Sequence, residues 1–234
     1  MKDINRICFI IQARVNSTRL PGKMILPFAE SSLIEKAIEK VKKSNFPQDN
    51  FYLSVCDPEL IDLAHEHEVN IYHRSPDSVQ NGAGIQEICE WYEKLDYDYY
   101  IMLSPCCPLV EVATINSFIK TFVESSSNGL FSVFEKKHFL YDQEHRMLNT
   151  YLGDTEKFLF DTKQLVPVYE AAAALYGGAM SDLARNVLYG TFETPDDPQF
   201  FTMEETECFD VDYQWQLEVA EVMYNKLFTE RTTL

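Results

Sequence analysis

A chain of 234 residues, 46% hydrophobic and 24% charged, is long enough to bury one substantial core and too apolar to be disordered. Its 37 acidic residues outnumber its 20 basic ones, and the net charge of −17 argues against a general nucleic-acid or anionic-membrane surface. The first apolar run is too short for a signal segment or a membrane span, and the six cysteines show neither a CxxC pair nor a paired-histidine zinc spacing. The expectation is a cytoplasmic protein with reduced structural thiols and with no nucleic-acid or membrane partner.

The first predicted element is a buried strand over Ile7, Cys8, Phe9, Ile10 and Ile11. It runs into a polar loop that carries Arg14, Arg19 and Lys23, with hydroxyls from Ser17 and Thr18, and closes on Pro21-Gly22. Cations and backbone N–H groups at the carboxyl end of a first strand suit a polyphosphate, whose oxygens such a loop can surround and neutralise. On spacing alone, a solvated basic loop fits as well. The loop lacks the glycines that a P-loop or a dinucleotide fingerprint needs.

Behind Ser31 and Ser32, the residues Leu33, Ile34, Ala37, Ile38 and Val41 form a helical stripe with lysines near its end. Phe51–Val55 reads as a strand, Asp57-Pro58 as the N-cap and first residue of a helix reaching His65, and residues 69–72 as another short strand. Ile85, Ile88, Cys89 and Tyr92 predict a helical face, Tyr99–Leu103 an apolar strand, Ile115, Phe118, Ile119 and Phe122 a helix, and residues 130–134 a strand. This alternation indicates a parallel-type sheet covered on both faces. From about residue 138 to 178 the rhythm fails, which predicts an excursion outside the main sheet. Its aromatics Phe139, Tyr141, Tyr151 and Phe158 suit either a subunit contact or packing on their own domain.

Near the C-terminus, residues 208–212 read as a short strand whose Asp210 and Asp212 point the same way. Adjacent like charges share a cation or sit in water, and hard carboxylate oxygens suit Mg²⁺ held jointly with phosphates. Alternatively, Asp212 caps the last helix and Asp210 is solvated. That helix shows Trp215, Val219, Val222, Met223 and Leu227 on one face, and residues 229–234 are expected to fray. Glu193, Asp196, Asp197, Glu204, Glu205 and Glu207 read as a solvated acidic loop, His65 and His67 as solvent contacts, and Cys106-Cys107 as structural thiols.

The segment IIQARVNSTRLPGK, residues 10–23, resembles the N-terminal signature of the sugar-activating cytidylyltransferases that make CMP-sialic acid and related CMP-sugars. The resemblance implies a Rossmann-like nucleotidyltransferase fold: α/β, doubly wound, with a mostly parallel sheet. It implies a single domain over residues 1–234 with a small dimerisation arm at about 138–178. It assigns Ala13, Arg14, Asn16, Ser17, Arg19 and Lys23 to the nucleotide, together with Arg74 after a strand, and makes Arg14, Lys23 and Asp212 catalytic. The segment FDVDYQWQLEVAEVMYN is similar to the family's closing motif, which implies that Asp210 and Asp212 hold Mg²⁺.

Residues 102–109 resemble the family's Leu-Gln-Pro-Thr-Ser-Pro-Leu motif: Pro105, Pro108 and Leu109 match, while Ser104, Cys106 and Cys107 replace Gln, Thr and Ser. The metal-binding Asp that Kdo-type enzymes carry in this loop is missing, which favours the sialic-acid branch. Further departures are Asn16 for Gly, Asn81 for Asp, Gly84 for Ser, and Ala172-Ala173 for Asn-Gly.

The expected activity is transfer of CMP from CTP to a sugar acid, a sialic-acid-like nonulosonate, with release of pyrophosphate. The enzyme would be a Mg²⁺-dependent homodimer serving polysaccharide biosynthesis. Two other readings stay open. One is a type-A glycosyltransferase that uses a nucleotide sugar and the D-x-D pair; the other is a nucleotide-binding homologue impaired by its departures at Ser104, Gly84 and Ala172-Ala173. The main reading requires the cationic turn near residue 19 and the acidic pair near residue 211 to flank one triphosphate.

Overall fold

The computed structural model describes residues 1–80, 82–149 and 161–229. Strand β1 (Ile7–Gln12) is followed by a ribbon of β2 (Pro27–Phe28) and β3 (Ser31–Ser32), then by helix α1 (Leu33–Lys43). The Ser32 hydroxyl caps α1 by accepting from the Glu35 backbone N–H and donating to the Glu35 carboxylate at 2.6 Å. Leu33, Ile34, Ala37, Ile38 and Val41 are all buried, as their spacing predicts. The chain continues through β4 (Phe51–Val55), α2 (Pro58–Glu66), β5 (Asn70–His73), the single turn α3 (Ile85–Ile88) and β6 (Tyr99–Leu103). It then forms α4 (Val112–Glu124), β7 (Leu130–Lys136), β8 (Val168–Ala179), α5 (Met180–Leu183), β9 (Gln199–Thr202) and α6 (Gln214–Tyr224).

Seven strands form one sheet in the order β5-β4-β1-β6-β8-β7-β9. The pairs β5–β4, β4–β1, β1–β6 and β7–β9 are parallel, and β8 alone runs against its neighbours β6 and β7. Side chains alternate across β1: Ile7, Phe9 and Ile11 enter one core with α1 and α4 residues, while Cys8 and Ile10 pack with Trp91, Met180 and Leu183 on the other face. The chain moves outward from β1 through β4 to β5 and then returns to β6 on the other side of β1. In open α/β sheets such a reversal leaves a crevice at the carboxyl ends of the strands. The polar loop of residues 13–23 hangs over that crevice.

Three expectations are corrected. The excursion is shorter than residues 138–178, because Val168–Ala179 lies inside the sheet; its Gly177 and Gly178 pair with Ile101 and Tyr100 of β6. The alternation is hidden in the sequence because this strand is alanine- and glycine-rich and contacts neighbours on both edges. Of the aromatics assigned to the arm, Tyr141 is exposed, Phe139 is half-buried, and Tyr151 and Phe158 lie outside the described residues. The strand expected at 208–212 is absent: Cys208 ends a 3-10 turn and residues 209–212 join no strand. Helix α6 buries Leu217 and Ala220, and leaves Trp215, Val219 and Val222 at 58%, 41% and 70% exposure. Its expected apolar face is therefore mostly outward.

Candidate functional site

The loop after β1 is held by its backbone. Ala13 N donates to the Ser54 carbonyl at 3.2 Å, continuing the β1–β4 ladder, and Gly22 N donates to the Val15 carbonyl at 3.0 Å. Gly22 takes the left-handed conformation at φ 72, where glycine carries no steric penalty. Asn16, which stands where the family has Gly and was assigned to the nucleotide, is not left-handed; it is exposed and does not line the cavity below the loop. Asp57 does not cap α2 with its side chain; its carboxylate accepts from Val15 N at 2.9 Å and ties the loop to the end of β4.

The two ends of the chain meet at this loop. Lys23 Nζ donates to Asp212 Oδ1 and to the Val211 carbonyl, both at 2.9 Å, and Arg19 Nη1 lies 2.6 Å from Asp212 Oδ2. The cause is apolar: Leu20, Phe28, Leu33, Val211, Leu217 and Ala220 bury one another in a satellite core between loop and α6. Each fully buried aliphatic chain of this size contributes about 1.5–3 kcal/mol of transfer free energy. The helix start is fixed by Gln216, whose Oε1 accepts from Asp212 N at 2.7 Å and from Tyr213 N at 2.9 Å. Tyr213, not Asp212, is the N-cap.

The mid-chain turn completes the junction. Ser104 N donates to the Ala174 carbonyl at 2.8 Å, and Val211 N donates to the Cys106 carbonyl at 2.9 Å. The Cys106 thiol also contacts Lys23. Burial lowers the Lys23 pKa, but its contacts with Cys106 and Asp212 outweigh this and the net shift is upward. Burial, then the charge of Asp212, raises the Asp210 pKa. Among the described residues the Asp210 carboxylate accepts no hydrogen bond.

A cavity of about 460 Å³ lies below the loop. Of the residues assigned to the nucleotide, Ala13, Arg14, Ser17, Arg19, Lys23 and Arg74 line it, whereas Asp210 and Asp212 stand behind Arg19 and Lys23. Arg14 Nη1 donates to the Val79 carbonyl at 2.5 Å, bridging the loop to the opposite wall. Arg74 is buried: Nε donates to Ser78 Oγ at 3.1 Å and Nη2 to the Ser78 carbonyl, so this cation holds the turn at 75–79. Burial lowers its pKa. Asn81 lies outside the described residues.

Several lining residues carried no signal in the sequence. Gln12, Met102 and Tyr176 face the cavity only because of strand register, and Ser78 and Gln80 because of the Arg74 turn. The polar end of the apolar run at Gln12 is the one cue that could have been used. Glu207 leaves the acidic surface group: it is buried, accepts from Glu111 N at 2.7 Å and Thr114 Oγ1 at 3.0 Å, and burial raises its pKa.

Among the described residues no three His, Cys, Asp or Glu side chains converge on a metal position. The donor set at Asp210 and Asp212 is two carboxylates beside a cationic cavity. That set fits Mg²⁺ completed by phosphate oxygens and water, and does not fit a cation held by protein alone.

Over residues 8–222 the sequence matches the family model described as Cytidylyltransferase. The chain is 25% identical over 227 residues to the pseudaminic acid cytidylyltransferase of Campylobacter jejuni subsp. jejuni serotype O:23/36 (strain 81-176), covering 92% of this chain and 94% of that protein. It is 30% identical over 135 residues to a 3-deoxy-manno-octulosonate cytidylyltransferase of Fusobacterium nucleatum subsp. nucleatum, 58% of this chain and 52% of that one. A solved structure of CMP:2-keto-3-deoxy-manno-octonic acid synthetase complexed with CTP shares the fold at a TM-score of 0.65 and 13% identity, over 94% of this chain and 99% of that chain.

Proposed function

The chain belongs to the cytidylyltransferase family and is a nucleotidyltransferase; from that premise we propose that the acceptor of its CMP is a sugar acid of the nonulosonate class. The family match removes the glycosyltransferase reading. The acceptor class is supported by relatives named for pseudaminic acid and 3-deoxy-manno-octulosonate, the first aligned over nearly the whole chain. The observation that carries the site assignment is the convergence of Arg19 and Lys23 on Asp212 at the rim of the cavity.

In this reading the anomeric hydroxyl oxygen of the sugar acid attacks the α-phosphorus of CTP in line. The bond from that phosphorus to the bridging oxygen breaks, pyrophosphate leaves on the opposite side, and the hydroxyl proton passes to solvent. Arg14, Arg19 and Lys23 bind and orient the phosphates, and their charge offsets the negative charge that grows on the departing oxygens. Ala13 and Ser17 border the same phosphate path, and Arg74 keeps the facing wall in place. Asp210 and Asp212 would hold Mg²⁺, which when bound supplies Lewis-acid charge neutralisation at the phosphates.

The enzyme acts as a homodimer through the connection between β7 and β8, whose Tyr141 and Leu148 are 54% and 62% exposed. All six cysteines are free thiols, which suits a reducing cytoplasm where CTP is made.

The test is pyrophosphate release with Mg²⁺, each of the four nucleoside triphosphates, and a panel of nonulosonic acids and Kdo. Release with CTP and one sugar acid only, matched by formation of a CMP-sugar, is the expected result. Silence throughout, with CTP still bound, would overturn the acceptor class and favour an impaired homologue.

A further inference from the structure

Gln12 ends the apolar strand β1 with a polar side chain that lines the cavity. Its Oε1 accepts from the Trp91 indole Nε1 at 3.0 Å. Trp91 is fully buried and packs edge-on against Tyr100, with ring centroids 5.1 Å apart, so the indole cannot turn away. An indole N–H only donates, and an amide has one acceptor end and one donor end. The oxygen of Gln12 must therefore face Trp91, and its NH₂ group is the end left for a ligand. The polarity of this side chain is fixed by chemistry, whatever occupies the cavity.

The position of Gln12 says what it meets. Arg19 and Lys23 mark the phosphate end of the cavity. Gln12 is on the β1 face shared by Cys8 and Ile10, held by Trp91, whereas Arg19 and Lys23 join Asp212 beside the separate Leu20 and Val211 cluster; Ser78, Ile88 and Met102 also line the cavity. Arg74 also lines this side, but its guanidinium is held by Ser78, and a wall of Ile88, Met102 and the Gln12 amide suits a planar base better than a phosphate.

We infer that Gln12 is the residue that selects cytosine over uracil, by donating its NH₂ hydrogen to the ring nitrogen N3. Cytosine N3 is an acceptor, whereas uracil N3 carries a hydrogen. A donor held in place by Trp91 meets a lone pair in one base and a second donor in the other. Trp91 is a positioning residue for this contact and touches no substrate. The inference rests on the reading that CTP occupies this cavity, and it adds the residue that reads the base.

The test is calorimetric titration of CTP and of UTP into the intact protein and into Gln12→Glu, Gln12→Leu and Trp91→Phe, each first checked for a native melting transition. Gln12→Glu keeps an acceptor for Trp91 but replaces the donor by a second acceptor. Its added charge weakens both nucleotides, so the ratio of the two affinities is the readout. That ratio should fall about tenfold or more, toward UTP, the size expected when one donor–acceptor match becomes a clash. Gln12→Leu should abolish most of the preference, and Trp91→Phe should lower it by freeing the amide to rotate, with UTP gaining. An unchanged ratio in Gln12→Glu, with CTP still bound, overturns the inference and leaves the CTP site standing. Failure of the unaltered protein to bind either nucleotide overturns both. Should Trp91→Phe not fold, Gln12→Glu decides alone.

Discussion

Lys23 and Asp212 stand 189 residues apart in the chain, and Lys23 Nζ lies 2.9 Å from Asp212 Oδ1 with their side chains only 11% and 14% exposed. The Asp212 carboxylate pairs with the same two cations, Arg19 and Lys23, that are assigned to the phosphates. Asp212→Asn should therefore leave metal-free CTP binding intact or tighten it by about three- to tenfold, because Arg19 and Lys23 are released. Pyrophosphate release should fall by about two orders of magnitude or more. Calorimetry without divalent metal and a steady-state assay check the two halves. Weaker metal-free binding would show that Asp212 positions the cations and does not compete for them.

Lys40, beneath the Cys106–Pro108 turn, gives a pH dependence of stability. It is buried, donates to the Pro108 carbonyl, and lies 5.4 Å and 5.0 Å from the Tyr224 and Phe228 ring centroids. Burial, only partly opposed by Glu207, Cys107 and Glu111, pushes its pKa from 10.5 down to about 7. Above pH 7 the native state has lost this proton while the unfolded chain keeps it, so the unfolded state binds more protons and stability rises with pH. One such group gives a slope of at most about 1.4 kcal/mol per pH unit. Urea unfolding between pH 7 and about 8.5 should show the rise, and Lys40→Met should flatten it.

Ala173 holds φ at 52, a left-handed conformation that costs an alanine about 1–2 kcal/mol. The strain sits at the irregular register between β7 and β8, where the Ala173 carbonyl accepts from the Cys107 thiol at 3.7 Å. Ala173→Gly relieves it at the cost of a more flexible unfolded chain. The net gain should be up to about 1 kcal/mol, visible as a melting temperature about 2–4 °C higher.

The proposed homodimer is tested by sedimentation. The expected species has twice the 27.2 kDa chain mass. Leu148→Asp, on the connection from β7 to β8, should yield monomer, whereas Val222→Asp, on the outward face of α6, should not. The reverse pattern would move the subunit contact to the Trp215, Val219 and Val222 stripe.

Much of this was legible in the sequence where one element dictated its own burial. The apolar run Ile7–Ile11, the stripe from Leu33 to Val41 and the apolar Tyr99–Leu103 each marked their element. The loop cations and the two late carboxylates were visible as residue types. Their meeting was expected only through the family resemblance; the residues alone did not show it, because it depends on Leu20 and Val211 burying together across the chain. Strand β8 stayed hidden, since alanines and glycines carry little periodic contrast. Gln12 was missed because its role comes from Trp91, 79 residues away.

Arg19, Lys23, Asp210 and Asp212 are assigned to one triphosphate. Calorimetric titration of CTP, with and without Mg²⁺, into the unaltered protein, Lys23→Ala and Asp210→Asn tests this assignment most directly. Lys23→Ala should weaken CTP by about tenfold or more in both conditions, and Asp210→Asn should erase most of the Mg²⁺ dependence while keeping metal-free affinity. CTP affinities equal to the unaltered protein's in both variants, with and without metal, would contradict the account.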